Sequence, residues 1–325
     1  MLQLSDRSLL DSQKNLLAFS AGIDSSALFY LLIECHIRFD IAIVDYGLRK
    51  QSQEEIAHAK ALAAQYNLTC YTTKAPTFKS HFEQHARAFR YHFFEEIIRE
   101  HGYDTLLTAH QLNDQMEWLF MRLSKGAGLS ELIGLEPLTQ KKDYTLVRPL
   151  LAHSKEALLS YLEKNSYPYF TDESNSSDTY ERNRFRKHFS DPFIAQYKEG
   201  VARSFAYLRQ DKAALERSFE TIYTDKALRI LTLHTPSAKA KAADLTLKTL
   251  GYLLSASQRS EIAKEQSLVI GGTWAVEQQG ALLYIAPYLT IDMPKAFKEQ
   301  CRIAKIPTKI RPYLFAEGID IQNFP

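Results

Sequence analysis

Cysteine is scarce in this chain. Three residues, Cys35, Cys70 and Cys301, are scattered over 325 positions. An odd, dispersed set of thiols argues against a disulfide framework and fits the reducing cytoplasm. No CxxC pair and no Cys/His cluster at zinc-ligand spacing occurs, which removes the common structural zinc modules. No apolar run approaches the ~18 residues that span a bilayer. The N-terminal MLQLSDRSLLDSQKN carries charges and no apolar core, so neither a membrane partner nor a secretory signal is expected. Net charge is also small: 40 Lys and Arg against 38 Asp and Glu give +2. A nucleic-acid partner therefore has to be sought in local clusters rather than in global charge. Neither GxxxxGK(S/T) nor GxGxxG is present, so any phosphate site is of another kind. No internal repeat or low-complexity segment is visible.

What remains is an ordinary globular composition, 45% hydrophobic and 24% charged. The length exceeds the ~100–150 residues one core usually needs, which implies two or three domains. The first half alternates strand-like and helix-like segments. Residues 15–19, 41–44, 68–73 and 105–109 read as strands; residues 24–36, 52–66, 81–100, 113–124 and 154–165 read as helices. That order implies an α/β fold: a parallel sheet with helices on both faces, whose ligands sit beyond the carboxyl ends of the strands. Ser20-Ala21-Gly22, Asp45-Tyr46-Gly47 and His110 follow three of those strands and should meet at one site. A linker is expected near residues 190–200, a helical pattern from about 201 to 265, and a short β segment over 267–290 with Gly271-Gly272 as its turn. The expected division is a catalytic domain over residues 1–195, a smaller, mostly helical α+β domain over 196–290, and a short basic segment over 291–325.

The strongest chemical signal is Ser20-Ala21-Gly22-Ile23-Asp24-Ser25-Ser26, after a strand and opening a helix. Small residues admit an anion close to the backbone, and the N–H groups of the turn and helix end can hold phosphates. Asp24 would repel a phosphate unless a divalent cation neutralised it, which points to Mg²⁺. A plain Ser/Asp helix cap is the competing reading. The second signal, Thr108-Ala109-His110-Gln111-Leu112-Asn113-Asp114-Gln115-Met116-Glu117, also lies at a strand-to-helix junction. Asp114 and Glu117, three apart, share a helix face and could hold a cation or an ammonium group. The competing reading is a capped helix start with Asn113 as N-cap and first-turn acids favoured by the helix dipole.

The first of these motifs resembles the SGGxDS signature of the PP-loop ATP pyrophosphatases, with Ala21 in place of a glycine. Further segments resemble one branch of that family, the tRNA(Ile)-lysidine synthetases. Val44-Asp45-Tyr46-Gly47-Leu48-Arg49 is similar to its DHGLR segment, with Tyr46 where histidine is usual. Ala86-Arg87-Ala88-Phe89-Arg90-Tyr91 is similar to AARxxRY. Asp172-Glu173-Ser174-Asn175 followed by Arg182-Asn183-Arg184-Phe185-Arg186 is similar to DxSN…RNxxR, and Lys125-Gly126-Ala127-Gly128-Leu129 and Arg148-Pro149-Leu150-Leu151 also fit. These lie in order over roughly residues 15–190. The resemblance implies ATP and Mg²⁺ as cofactors, with Ser20, Ala21, Gly22, Ile23, Asp24, Ser25, Ser26 and His110 at the nucleotide and Asp24 at the metal. It implies free L-lysine held by Asp114 and Glu117, and a tRNA(Ile) with a CAU anticodon as partner. It makes Asp24, Arg90, Asp114, Glu117 and Arg182 the catalytic candidates.

RNA contacts are expected from Arg182, Arg184 and Arg186, and from Lys295, Lys298 and Lys305 in a tail that resembles a shortened tRNA-binding segment. That tail carries six basic residues between Lys295 and Arg311 against the single acid Glu299. A solvated surface or an oligomer contact, a homodimer included, is also compatible with it. Three other functions stay open at this point. A PP-loop tRNA thiolase would need a persulfide cysteine or a CxxC-held cluster. An amidotransferase-type synthetase would need an ammonia source. A non-catalytic RNA-binding relative would have no need of Ser20, Asp24, Asp114 and Glu117.

Overall fold

The computed structural model describes residues 2–47, 51–78, 80–171, 181–321 and 324, and divides into two compact units, Met1–Arg209 and Gln210–Pro325. Of the family-like segments, Leu48-Arg49 and Asp172-Glu173-Ser174-Asn175 lie outside the described residues.

The first unit opens with a short helix, α1 (Arg7–Ser12), and then alternates as the sequence pattern predicts: β1 (Asn15–Ala18), α2 (Ile23–Glu34), β2 (Phe39–Asp45), α3 (Gln51–Tyr66), β3 (Cys70–Lys74), α4 (Phe82–His101), β4 (Thr105–Leu107) and α5 (Leu112–Leu123). The short α6 (Leu129–Leu132), the hairpin β5 (Leu138–Gln140) and β6 (Thr145–Val147), and α7 (Lys155–Lys164) complete the layer structure. The sheet order is β3-β2-β1-β4-β6-β5, parallel except for the β5 edge. Side chains alternate across it. Leu17, Ile41, Ile43, Leu107 and Val147 pack with α2, α3 and α7, while Leu16, Ala42, Leu106 and Leu146 pack with Phe94, Ile97 and Ile98 of α4. The chain builds outward from β1 to β3 and then returns to lay β4 on the other side of β1. The reversal point, where a crevice opens, is therefore at the carboxyl ends of β1 and β4.

Residues 190–200 are helical rather than a linker. Helix α8 (Glu181–Phe185) runs through a π-helical turn (Arg186–Ser190) into α9 (Asp191–Glu216), with a kink at Tyr197 (φ −130°, ψ 21°). Pro192 follows directly on the π-helical turn, where Asp191 N–H already bonds the Arg186 carbonyl five residues back and the regular ladder is interrupted. Ile194, Val201 and Phe205 of α9 pack on Leu112 and Met116 of α5.

The second unit is built on a five-stranded antiparallel sheet, ordered β7-β8-β11-β10-β9, from β7 (Phe219–Asp225), β8 (Leu228–Leu233), β9 (Ser267–Ile270), β10 (Trp274–Gln279) and β11 (Leu282–Pro287). The β segment expected over 267–290 is there. The expected helical run from 201 to 265 is interrupted by β7 and β8. Helices α10 (Lys239–Thr249) and α11 (Ala256–Lys264) cover one face of the sheet. On the other face α12 (Lys295–Ile303) and α13 (Arg311–Glu317) bury Cys301, Ile306, Ile310 and Leu314 against Leu228, Ile230, Ala275 and Tyr284. Among the described residues no helix is long and apolar enough to cross a membrane.

Candidate active site

The strand ends of β1 and β4 carry the serine loop and His110 to the crevice that the sheet topology opens, while the Asp45 segment ends β2 on the other side of β1. Following β1, the Ser20 backbone N–H donates to Ser25 Oγ (3.2 Å), the two hydroxyls lie 3.0 Å apart, and Ser26 Oγ donates to the Ala21 carbonyl (3.2 Å). The loop is thus cross-linked by its own serines. Ala21 is fully buried and holds a left-handed φ of 58°. Its carbonyl also accepts from Phe170 N–H (2.9 Å), which ties the loop to the chain after α7. A non-glycine residue in that region costs about 1 kcal/mol, so the departure from glycine leaves the geometry intact and stores modest strain.

Asp24 is in the first turn of α2, with Oδ1 buried and without a hydrogen-bond partner among the described residues. Burial raises its pKa to about 7, and the charge of Asp114 adds to that; Lys155 and Arg186 oppose it, and Asp191 reinforces it. An orphaned, buried carboxylate at a phosphate-type loop suits a cation bound by one carboxylate and substrate phosphates, the usual manner of Mg²⁺. Among the described residues no group of three or more His, Cys, Asp or Glu side chains could hold a metal by itself.

Beyond β4, His110 Nδ1 lies 3.0 Å from Thr108 Oγ1. Burial holds the imidazole well below its usual pKa, and the positive charges of Arg148, Arg182 and Arg87 outnumber the opposing Asp114, so the ring is neutral at pH 7. Helix α5 begins at Gln111 rather than at Asn113. Gln111 Oε1 accepts from Asn113 N–H (2.6 Å), and Asp114 Oδ2 accepts from Gln111 N–H (3.0 Å), a reciprocal cap. Asn113 is instead a bridge: its Nδ2 donates to Asp191 (2.7 Å) and its Oδ1 accepts from Lys155 N–H (3.2 Å).

The other Asp114 oxygen and Glu117 meet two arginines four residues apart on the α8 segment. Arg182 donates through Nε to Glu117 Oε1 and through a terminal nitrogen to Asp114 Oδ1 (3.1 Å). Arg186 reaches Glu117 Oε2 (3.0 Å) and Asp114 Oδ1 (3.5 Å). Glu117 is only 3% exposed as a side chain and Arg182 42%, so the quartet is anchored inside and opens outward at Arg182. Burial pushes the Glu117 carboxyl up, against the pull of Arg182 and Arg186. For Arg182, burial is outweighed by Glu117 and Asp114, which hold it above its usual value.

Arg90 lies beside Tyr46 at the end of β2. Burial raises the Tyr46 hydroxyl and the nearby Arg90 charge opposes the rise; the same hydroxyl donates to the Ala86 carbonyl (3.3 Å). Arg184 is exposed. Lys295 and Lys298 are exposed on α12 of the second unit, and Lys305, exposed just after it, lines with Arg302 and Arg311 a cavity of about 340 Å³. Four residues absent from the expected set enter the electrostatics of the first-unit site: Lys155, Asp191, Arg148 and Arg87. Only Arg148 and Arg87 had a sequence signal, as members of family-like segments. Lys155 and Asp191 are lone charges at helix starts.

A PP-loop domain model matches residues 2–191. Over 325 residues the chain is 44% identical to the tRNA(Ile)-lysidine synthase of Campylobacter jejuni subsp. jejuni, covering 99% of both chains. It is 41% identical to that of Wolinella succinogenes over 98% of both, and 40% identical to that of Helicobacter pylori strain 26695 over 95% of this chain and 91% of the other. Among solved structures, the U34-tRNA thiolase NcsA from Methanococcus maripaludis superposes with a TM-score of 0.53 at 18% identity, over 63% of this chain and 74% of that one, a likeness of fold. Identity at this level along the whole chain, with the serine loop and the acid pair at the sheet's crevice, shows that the chain belongs to the tRNA(Ile)-lysidine synthase family of PP-loop, ATP-utilising ligases.

Proposed function

We propose that this chain converts the wobble cytidine of a tRNA(Ile) with a CAU anticodon to lysidine, using ATP and free L-lysine, in the cytoplasm. The C2 carbonyl oxygen of the cytidine attacks the α-phosphorus of ATP, and the bond to pyrophosphate breaks. The lysine ε-amine, having lost a proton, adds to C2, and the oxygen departs with AMP. The first step converts a poor leaving group into a good one; the second forms the C–N bond.

The observation that carries this reading is the buried Asp114–Glu117 pair, of which Asp114 is within electrostatic reach of Asp24 in the serine loop. An adenylating centre and a site for a cationic amine therefore share one crevice. Ser20, Gly22 and Ser25 are assigned to the ATP phosphates, through hydroxyls and the N–H groups at the start of α2; Ser26, expected there from the sequence, is fully buried with its N–H on the Gly22 carbonyl (2.9 Å) and its hydroxyl on the Ala21 carbonyl, and it shapes the loop instead. Asp24 would hold Mg²⁺, whose charge would stabilise the leaving pyrophosphate. Asp114 and Glu117 are assigned to the lysine ammonium. Arg182 and Arg186 now occupy those carboxylates, so lysine has to displace them; once released, a guanidinium fork suits phosphate oxygens. His110, neutral, can donate or accept a hydrogen bond at the nucleotide without adding charge, and Arg90 is assigned to the edge near Tyr46. Sulfur transfer is disfavoured: Cys35 and Cys70 pack against the sheet core, and Cys301 is buried in the second unit.

The test is product analysis. ATP should yield AMP and pyrophosphate, not ADP and phosphate, and AMP release should require both tRNA(Ile) and lysine. ATP breakdown indifferent to lysine would overturn the assignment.

A further inference from the structure

A second cavity in the first unit lies outside the residues assigned above. It occupies about 400 Å³ between the 84–95 stretch of α4 and the β5–β6 hairpin, and its walls are Arg87, Tyr91, Glu95, Lys141 and Tyr144, with Gln84 at the rim. Positions 87, 91 and 95 recur every four residues and so share one face of the helix. The volume is at the lower end of the ~300–1,000 Å³ typical of small-molecule sites, which suits one nucleotide and no helical stem.

The lining has two kinds of chemistry. The first is aromatic: the Arg87 guanidinium lies 4.8 Å from the centroid of the half-buried Tyr91 ring, a flat cation-and-ring surface. The second is positive charge. Arg87 and Lys141 are both exposed and both line the cavity. The acid in the wall, Glu95, already accepts from the Tyr144 hydroxyl (3.2 Å). Arg148 is 6% exposed, close enough to feel the charge of Arg87, and its Nε lacks a hydrogen-bond partner among the described residues. Burial lowers the Arg148 pKa, yet a guanidinium stays protonated in proteins. Three cationic side chains thus set a positive field around two tyrosines, the combination that binds single-stranded nucleic acid: bases stack on rings and phosphates meet cations.

The location names the occupant. Arg87 is in the wall of the cavity and is also one of the charges acting on His110. Ala86, next to Arg87 in α4, accepts through its carbonyl from the Tyr46 hydroxyl (3.3 Å), so the cavity adjoins the Tyr46 edge of the candidate active site. A base delivered to that site has to leave its stack, and its neighbour in the strand is unstacked with it.

We propose that this cavity holds one nucleotide adjacent to the modified cytidine, its base against Tyr91 and its phosphate between Arg87 and Lys141. The proposal rests on the tRNA reading given above. The test uses the full chain and an anticodon stem-loop carrying 2-aminopurine at one or the other position flanking the cytidine. On binding the parent, one of the two probes is quenched by stacking. Tyr91→Leu, which keeps bulk and removes the ring, abolishes the quenching and weakens binding about tenfold, within the range measured for base–aromatic stacking. Lys141→Ala, at an exposed position that the fold does not need, lowers the slope of log affinity against log salt by roughly 0.7, one single-strand phosphate contact, and leaves ATP affinity at the parent's value. Quenching and affinity unchanged in both variants, with a parent that binds and modifies the RNA, overturns the cavity and leaves the functional reading standing. A parent that neither binds nor modifies it overturns both.

Discussion

The Arg182–Glu117–Asp114–Arg186 quartet makes the sharpest demand on experiment. In Glu117→Gln the shape survives but the buried charge that answers two guanidinium groups is lost. Removing one member of a buried ion pair costs about 3–5 kcal/mol. Here Arg182 is 42% exposed and Asp114 still faces both arginines, so a smaller loss of about 2 kcal/mol is expected, below that range. For a unit the size of Met1–Arg209 this lowers the melting temperature by roughly 4–8 °C. Arg182→Gln in the same background should recover part of the loss, a coupling of about 1 kcal/mol in a double-mutant cycle. Lysine binding supplies the second readout, by calorimetry without RNA. Glu117→Gln should weaken it at least about tenfold, the loss of one charged hydrogen bond. Arg182→Gln should strengthen it, because the guanidinium competes with the lysine ammonium for the same oxygens, even though turnover falls. Lysine binding that weakens in both variants would refute the competition and make the acids a support for the arginines alone.

Asp24→Asn should stabilise the metal-free protein at pH 8 by on the order of 4 kcal/mol, because the folded pKa is about 7 against 3.8 for the free side chain. The folded state is favoured by proton uptake between those values, so the variant's advantage shrinks as pH falls through 7 and is gone below about 4; melts across that range in chelator check it, and an advantage independent of pH contradicts it. The same variant should lose Mg²⁺-dependent pyrophosphate release. Ala21→Gly should relieve left-handed strain but loosen the unfolded chain and remove a buried methyl group, one gain and two losses of about 1 kcal/mol each, so stability should fall by about 1 kcal/mol while activity is kept or slightly raised; abolished activity would contradict the loop geometry. Neutralising Lys295, Lys298 and Lys305 should weaken tRNA binding whatever the anticodon and flatten its salt dependence, and an unchanged salt titration would make that surface merely solvated.

Much of the first unit was legible because its strands are short apolar runs ended by polar or small residues, and those ends are where ligands gather in a parallel sheet. Ser20, Asp45 and His110 could be placed on one edge before any coordinates. The arginine-bearing helix was legible in composition but not in partner: nothing in Arg182 or Arg186 announces that both turn to Asp114 and Glu117, since that pairing depends on packing α9 against α5. The competing reading of this junction put the cap at Asn113, because Asn outranks Gln there by propensity; the fold caps the helix at Gln111 and gives the Asn113 side chain to Asp191 and Lys155. Strands β7 and β8 were missed for a plainer reason. LRILTL is an apolar run too short to distinguish from a buried helix by periodicity, and the β7 edge strand, FETIYTD, is largely exposed.

The most direct measurement is mass analysis of the anticodon fragment of tRNA(Ile) after incubation with the chain, ATP and lysine. The account predicts a single cytidine heavier by one lysine less one water, formed only when all three substrates are present and absent with Asp24→Ala. An unmodified fragment, or a cytidine whose oxygen has been replaced by sulfur, would contradict it.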